Sequence, residues 1–397
     1  MIDLRQSWNT KSLQWIFWLF VLVAVIASVQ DLLHPLKVYF NTDGKLYTEY
    51  NNYVIFKSSF FHLVRGKNIY QWFPEDQWDL YKYSPFFSLC FGVFAYFPDY
   101  IGLTLWSLLN ALIVFFAIVK LPGFDRQKKS WMLLYCVIEL LGSIQNTQSN
   151  GLMAGLIILA FVFLEDSNYF LAALCIVFSI YIKIFGAVAF ALYLLYPNKL
   201  KMAGWTIFWM VFMAVMPAVV TGFAHLGELY KQWFDLLKED QQASQGIALV
   251  GIIDSWFNME VSKSLITGLG FVLFCAPFLR ISQYKEPVFR KLALCSVLLW
   301  TIVFNHKAES PTFIISMCGI AIWYFCRERG KGDKVLFILA FILTTLSVSD
   351  LFPHSLKEHF IKPYRIKGLM SVVIWVRIIY EMMTLKTGEN RLLVTTT

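Results

Sequence analysis

Charge is scarce in this chain. Aspartate, glutamate, lysine and arginine make up 15% of its 397 residues, against about 25% in an ordinary soluble domain, while hydrophobic residues make up 58%. That balance excludes a water-soluble globule. The short motifs of soluble nucleotide, zinc and serine-hydrolase chemistry are also missing: the sequence has no Gly-x-Gly-x-x-Gly, no Gly-Lys-Ser/Thr loop, no His-Glu-x-x-His and no Gly-x-Ser-x-Gly. Its seven cysteines lie in or beside apolar runs, without Cys-x-x-Cys or Cys/His ligand spacing, so they read as small buried hydrophobes. No disulfide framework, metal site or cofactor is expected.

What is present is apolar and aromatic: 37 Phe, 14 Trp and a mean hydropathy of +0.59. The chain is therefore divided by membrane-spanning helices, as one integral-membrane domain over residues 1–397. The first run, residues 14–33, follows Arg5 and Lys11 and lacks a small-residue cleavage site, which makes it a retained span with a cytoplasmic N-terminus. Further apolar segments fall at 86–97, 101–121, 131–144, 151–164, 170–196, 205–223, 265–279, 292–304, 311–325, 335–348 and 369–383. The run 170–196 is too long for one span and carries Lys183 near its middle, with Gly186 beyond, so it reads as two short helices meeting at Lys183. The expectation is an all-α polytopic bundle of roughly 11 to 13 transmembrane helices.

The net charge of +8 comes from basic residues clustered in short loops at 126–129, 198–201, 280–291 and 327–334, which places those loops in the cytoplasm; nucleic acid is not an expected partner. The alternate connections, rich in amides, acids and aromatics, face outward: a first outer loop at 35–85, the "QNTQSN" turn at 145–150, the turn around Lys183, a loop at 225–263, "NHKAESP" at 305–311, and 350–367. This sidedness holds if 86–97 dips into the outer leaflet and returns. Within the first loop, Tyr53, Phe56, Phe60, Leu63 and Val64 recur at helical spacing beside Lys57, His62, Arg65 and Lys67, predicting an amphipathic helix at the membrane surface that stops at Gly66.

An ionisable group in hydrocarbon costs about 2.5 to 3.5 kcal/mol, so Lys183, Glu139 and Arg377 should face the bundle interior or a polar cavity. Glu139 and Arg377 read as structural partners. Lys183 is either a snorkelling or paired lysine or an ammonium facing a lipid-borne anion. Glu75 and Asp76 read as solvated charges. In "DLYKYSP", Asp79, Lys82 and Tyr83 sit just before Pro85, at the depth of a phosphate head group; an interfacial aromatic belt with a snorkelling lysine is the alternative. His306 and Lys307 begin a membrane helix from outside, where an imidazole shuttles a proton, bonds a phosphate oxygen or simply caps the helix.

The segments "NNYVIFKSSFFHLVRGKNIY" (51–70), "YKYSPFF" (81–87), "QNTQSNGLMAGLI" (145–157), "KIFGAVAFALYLL" (183–195) and "FNHKAESPTF" (304–313), in this order, resemble the GT-C superfamily of membrane glycosyltransferases. The likeness is closest to glycosyltransferase family 87, in a branch like that of Bacteroidetes-type bacteria. The resemblance implies a GT-C-like enzyme that transfers a sugar, mannose, from a polyprenyl-phosphate donor to a lipid or glycan hydroxyl with inversion. It implies a site on the periplasmic face of the bacterial cytoplasmic membrane, with no nucleic-acid partner. Where the family pattern has an early aspartate as base, this chain has Asn51. An amide takes no proton, so Asp79 first, Glu49 second and Glu309 third are the substitutes. Lys183 and His306 match the family's lysine and histidine beside the donor phosphate, joined by Lys82 and Lys307. Asn51 and Asn52 would bond sugar or acceptor, and Tyr83, Gln148, Asn150 and Glu309 would shape the sugar pocket. Two rival readings are a lipid-linked glycan transporter or flippase, for which an internal repeat is expected and none is visible, and a non-catalytic sugar-lipid binding protein, suggested by Asn51.

Overall fold

The structure, a computed structural model, describes residues 11–38, 44–243, 246–259, 261–350 and 352–386. Among them the only strands are a two-residue antiparallel ribbon, β1 (Lys37–Val38) and β2 (Leu46–Tyr47). Everything else regular is helical, as an apolar chain requires where no water is available to satisfy backbone groups. Three helices are long and apolar enough to cross a membrane, Lys11–Leu33, Asp99–Lys120 and Lys199–Thr221, and several shorter apolar helices accompany them. The chain is thus an all-α protein with membrane-spanning character.

Two compact units form. The first comprises residues 1–122, 137–187 and 200–244, and the second residues 123–136, 188–199 and 245–397. In the first unit, α1 (Lys11–Leu33) carries two stripes. Trp15, Trp18, Leu22, Ile26, Val29 and Leu33 are exposed, whereas Leu13, Ile16, Phe20, Ala24, Ala27 and Asp31 are buried; both sets follow the three-to-four spacing of a helix face. The inner stripe packs on α4 (Asp99–Lys120), with Phe20 meeting Phe115 edge-on at 5.6 Å. On its other side α4 meets α6 (Asn150–Glu165), which continues to α7 (Tyr169–Ile182). Contact between α4 and α6 is close because α6 presents glycine: a Cβ on Gly151 would lie 2.7 Å from the Asn110 carbonyl oxygen.

The amphipathic segment folds as α2 (Asn51–Val64). Its aromatic face is buried on α3 (Pro85–Ala95) and α4, and Phe56 is met edge-on by Tyr83, Phe87, Phe91 and Trp106 at 4.8 to 5.8 Å. Val64, placed on that face by spacing, is instead 42% exposed. The helix stops as expected, with Gly66 at φ +67° and Lys67 N–H donating to the His62 carbonyl at 2.9 Å. Ser84 caps α3 by accepting from Phe87 N–H, and Pro85 follows in the first turn. With 11 residues, α3 is about 16 Å long, roughly half the hydrocarbon thickness.

The basic stretches expected as loops partly continue into helix: α5 (Arg126–Gln145) starts at Arg126 and α8 (Lys199–Val215) at Lys199. Lysine and arginine are good helix formers whose long stems let the charge leave an apolar end. Residues 225–263, read as a loop, are likewise mostly helix, α9 (Phe223–Ala243) and α10 (Leu249–Phe257). Leu226, Leu229 and Trp233 form the buried stripe of α9, a short periodicity that the surrounding polar residues masked.

In the second unit, α11 (Lys263–Cys275) precedes α12 (Pro287–Val303), which packs against α13 (Ile314–Phe325) and α15 (Ile366–Thr384). The charges at one end pair with one another. Arg329 pairs with Glu381 at 2.7 Å, Arg377 with Asp333 of α14 (Lys331–Ala340) at 3.0 Å, and the Arg329 guanidinium stacks 4.3 Å from the Trp323 ring. Arg377 is therefore a structural partner. Glu139 is buried in α5.

Substituting Gly151 by Val should destabilise the protein by about 1–3 kcal/mol through overpacking against Asn110, read as a lower unfolding midpoint in detergent. Gly142→Ala, where an added Cβ meets nothing within 4 Å, should leave the midpoint unchanged or raise it.

Candidate functional site

The polar centre of the first unit is the turn 145–150, between the end of α5 and the start of α6. Thr147 adopts φ +50°, an unfavourable conformation for a β-branched residue. Three hydrogen bonds hold it: Tyr53 N–H donates to its hydroxyl at 3.1 Å, the Trp106 indole donates to its carbonyl at 2.9 Å, and its own N–H reaches the Ile144 carbonyl at 2.7 Å. Flanking residues extend the links. Gln145 Nε2 donates to Gln30 Oε1 at the end of α1, and Asn52 Nδ2 donates to the Asn146 carbonyl. Asn150, fully buried, donates to Gln148 Oε1 at 2.8 Å and accepts from Lys183 Nζ at 2.8 Å.

Lys183 stands at a break. α7 ends at Ile182, Lys183 is extended at φ −142° and ψ 124°, and a 3₁₀ helix (Ile184–Leu195) follows. The break is tight because Gly186 lies on Ser179, where a Cβ would come within 2.8 Å of the backbone. The Ser84 hydroxyl donates to the Tyr181 carbonyl at 2.5 Å, so the start of α3 is fixed to the end of α7. This brings Lys183 Nζ to 5.8 Å from the Tyr83 ring centre. The half-buried ammonium, held by a neutral amide and an aromatic face, is suited to balancing an anion.

The adjoining loop carries Asp79 and Lys82. Lys82 Nζ pairs with Asp79 Oδ2 at 3.0 Å, Leu80 N–H donates to Asp79 Oδ1 at 2.7 Å, and the Trp233 indole holds the Lys82 carbonyl. Both Asp79 oxygens are thus engaged. Asn51, buried at the start of α2, accepts from Trp78 N–H at 3.1 Å through its amide oxygen, so in this chain it anchors the 77–80 backbone. Glu49 pairs with Lys37 of the β ribbon at 2.5 Å through Oε1, while its Oε2 is buried without a hydrogen bond from any described residue. Tyr70 and Tyr81 donate to the Tyr83 and Ser84 carbonyls, and burial pushes both hydroxyls well above the usual tyrosine range, so they are donors and not phenolates.

Within this unit the structure brings Lys183, Asn150, Gln148 and Tyr83 together and joins Asn52 to the same turn. His306, Lys307 and Glu309 belong to the second unit. There the His306 carbonyl accepts from Gly246 N–H, Lys307 N–H donates to Asn305 Oδ1 at 3.0 Å, and Glu309 closes a capping box with Thr312. Among the described residues, no group of three or more His, Cys, Asp or Glu side chains could hold a metal ion. One residue escaped the sequence reading. Asp31 looks like part of the first apolar run, yet it falls where the inner stripe of α1 calls for a core residue, and that is the signal that marks it.

The family model of glycosyltransferase family 87 matches residues 81–349. The chain belongs to glycosyltransferase family 87. It is therefore a membrane glycosyltransferase, taking a sugar from a donor to an acceptor. No curated protein matches it. The family match includes Lys82, Tyr83, Gln148, Asn150, Lys183, His306, Lys307 and Glu309, and begins after Glu49, Asn51, Asn52 and Asp79.

The 71–80 loop depends on His62, which is buried, stacked on Phe73 at 3.8 Å between ring centres, and bonded to Asp76 at 2.9 Å. Desolvation lowers its pKa below the ordinary 6.5, outweighing the Asp76 carboxylate, which raises it. A base with a lowered pKa in the folded state binds fewer protons there than when unfolded, so its contribution is full above about pH 6.5 and is lost as pH falls through the folded value. Hydrogen exchange of residues 71–80 should accelerate between pH 7.5 and 5.5 once corrected for intrinsic rate, and His62→Gln should abolish that dependence.

Proposed function

We propose that this family member transfers a sugar, mannose, from a polyprenyl-phosphate donor to a hydroxyl of a lipid or glycan, with inversion, at the outer face of the bacterial cytoplasmic membrane. The observation that carries the reading is Lys183, a cation at an interrupted apolar helix, bonded to buried Asn150 and facing Tyr83. An ammonium at an interrupted apolar helix offers a counter-charge to a phosphate, and a polyprenyl phosphate brings that anion through the lipid. Lys183 would balance charge on the departing phosphate, Lys82 would lie at the same approach, and Gln148, Asn150, Tyr83 and Asn52 would bond the sugar. His306 and Lys307 are proposed phosphate ligands, and Glu309 a sugar contact, on family resemblance.

The acceptor oxygen attacks the anomeric carbon as the bond to phosphate breaks, and a carboxylate takes the hydroxyl proton. Of the acids named from the sequence, Glu49 suits the acceptor side better than Asp79, because among the described residues no donor reaches Glu49 Oε2, whereas Lys82 and Leu80 occupy both of Asp79's oxygens. We place 35–85 and 225–263 on the outer side of a bundle of roughly 11 to 13 spans, with α3 dipping into the outer leaflet.

Purified protein in lipid nanodiscs should transfer mannose from polyprenyl-phosphate mannose and not from a nucleotide sugar; the reverse would overturn the donor assignment. Lys183→Ala should lower turnover more than tenfold with an unchanged unfolding midpoint, since a cation facing a developing phosphate charge is worth a few kcal/mol. For sidedness, a cysteine replacing exposed Asn146 should react with an impermeant thiol reagent from outside in intact spheroplasts and one replacing Lys128 should not. Reversed labelling would place the site on the cytoplasmic side.

A further inference from the structure

Asp31 is the one acid in α1 and ends its buried stripe, with 4% of its surface exposed. No protein donor among the described residues reaches its Oδ2. Its position adds to the cost in three ways. It lies in the last turn of a helix, where the backbone dipole opposes negative charge. It borders the apolar part of a long hydrophobic helix. Its carboxylate feels the charge of a second one, Glu49, whose Oε2 is also buried without a hydrogen bond from the described residues. Among the described residues the cation bonded to Glu49 is Lys37, on Oε1 at 2.5 Å. Gln30, the preceding residue, binds the 145–150 turn through Gln145, so this end of α1 is tied to the same turn that holds Asn150 and Lys183. A fold does not gain stability from two neighbouring carboxylates with unfilled acceptor atoms. Such a pair is matched by hydroxyl groups, which supply the missing donors.

We propose that Asp31 and Glu49 form the acceptor subsite of the transferase, that Asp31 is the catalytic base, and that the acceptor is a sugar presenting adjacent hydroxyls. Asp31 Oδ2 accepts the proton of the attacking hydroxyl. The acceptor oxygen forms the new bond to the anomeric carbon, and the bond from that carbon to the donor phosphate breaks with its electron pair left on the phosphate. Glu49 Oε2 accepts a hydrogen bond from the neighbouring hydroxyl, with its other oxygen held by Lys37. The pair thereby supplies the carboxylate that Asn51 does not. This assignment rests on the glycosyl-transfer reading above and adds to it the base and the acceptor class.

The test compares native protein with Asp31→Asn, Glu49→Gln and Asp79→Asn in nanodiscs, with polyprenyl-phosphate mannose as donor and methyl mannoside or a long-chain alcohol as acceptor. Asp31→Asn should lower kcat by about 10² to 10⁴, as for loss of a general base, while polyprenyl-phosphate binding stays within threefold and the unfolding midpoint is unchanged or higher, because a neutral amide removes a buried charge. Glu49→Gln should raise KM for methyl mannoside about tenfold with kcat within threefold, and Asp79→Asn should remain active. The alcohol should be a poor acceptor. Binding of methyl mannoside without donor, followed by saturation-transfer NMR, should weaken in Asp31→Asn and provides a readout independent of the donor. If the native protein uses no polyprenyl-phosphate donor yet binds methyl mannoside in an Asp31-dependent way, the donor reading falls and the subsite stands. Native-like turnover in Asp31→Asn, turnover abolished by Asp79→Asn alone, or equal use of the long-chain alcohol would overturn the proposal.

Discussion

The first unit depends on the strained backbone of Thr147. A threonine in left-handed conformation is retained only when its surroundings leave it no alternative, and here α2 supplies a backbone donor and α4 an indole donor to the same residue. Those bonds fix where α5 ends and α6 begins, which in turn fixes Asn150, and Asn150 fixes the ammonium of Lys183. Distant parts of the sequence, from Gln30 to Lys183, are thus positioned by one short turn. Two of its amides reach other elements, Gln145 to Gln30 and Asn150 to Lys183, while Asn146 and Gln148 bond within the turn and the helix before it.

Buried charge is handled in two ways in this protein. In the second unit Arg329, Glu381, Asp333 and Arg377 form a connected ion-pair network, an arrangement that costs most when one member is removed. In the first unit Lys183 meets an amide and an aromatic ring, and Asp31 Oδ2 has no donor among the described residues. The network belongs to folding, whereas the proposed substrate site draws on Lys183 and Asp31.

Much of this was legible in the chain itself. Apolar runs of about 20 residues give spanning helices directly; the interruption at Lys183 follows from a charge within an over-long run, and the stop of α2 follows from Gly66. The helices α9 and α10 were hidden because polar residues outnumber the few buried positions that set their period. Asp31 was hidden for the opposite reason, as a lone acid in an apolar run is easily absorbed into it. The engagement of Asn51 with Trp78 and of Asp79 with Lys82 and Leu80 is tertiary, and residue type alone does not show which oxygen is already in use.

The bond from the Ser84 hydroxyl to the Tyr181 carbonyl has a mechanical consequence. It joins a half-length helix to the end of another at the point where both approach Lys183, with Tyr83 on one side of the joint and the ammonium on the other. Displacing either helix end thus strains the other, so the aromatic face and the ammonium keep their spacing, while the first loop turns at Gly66 with no atom crowding its missing side chain.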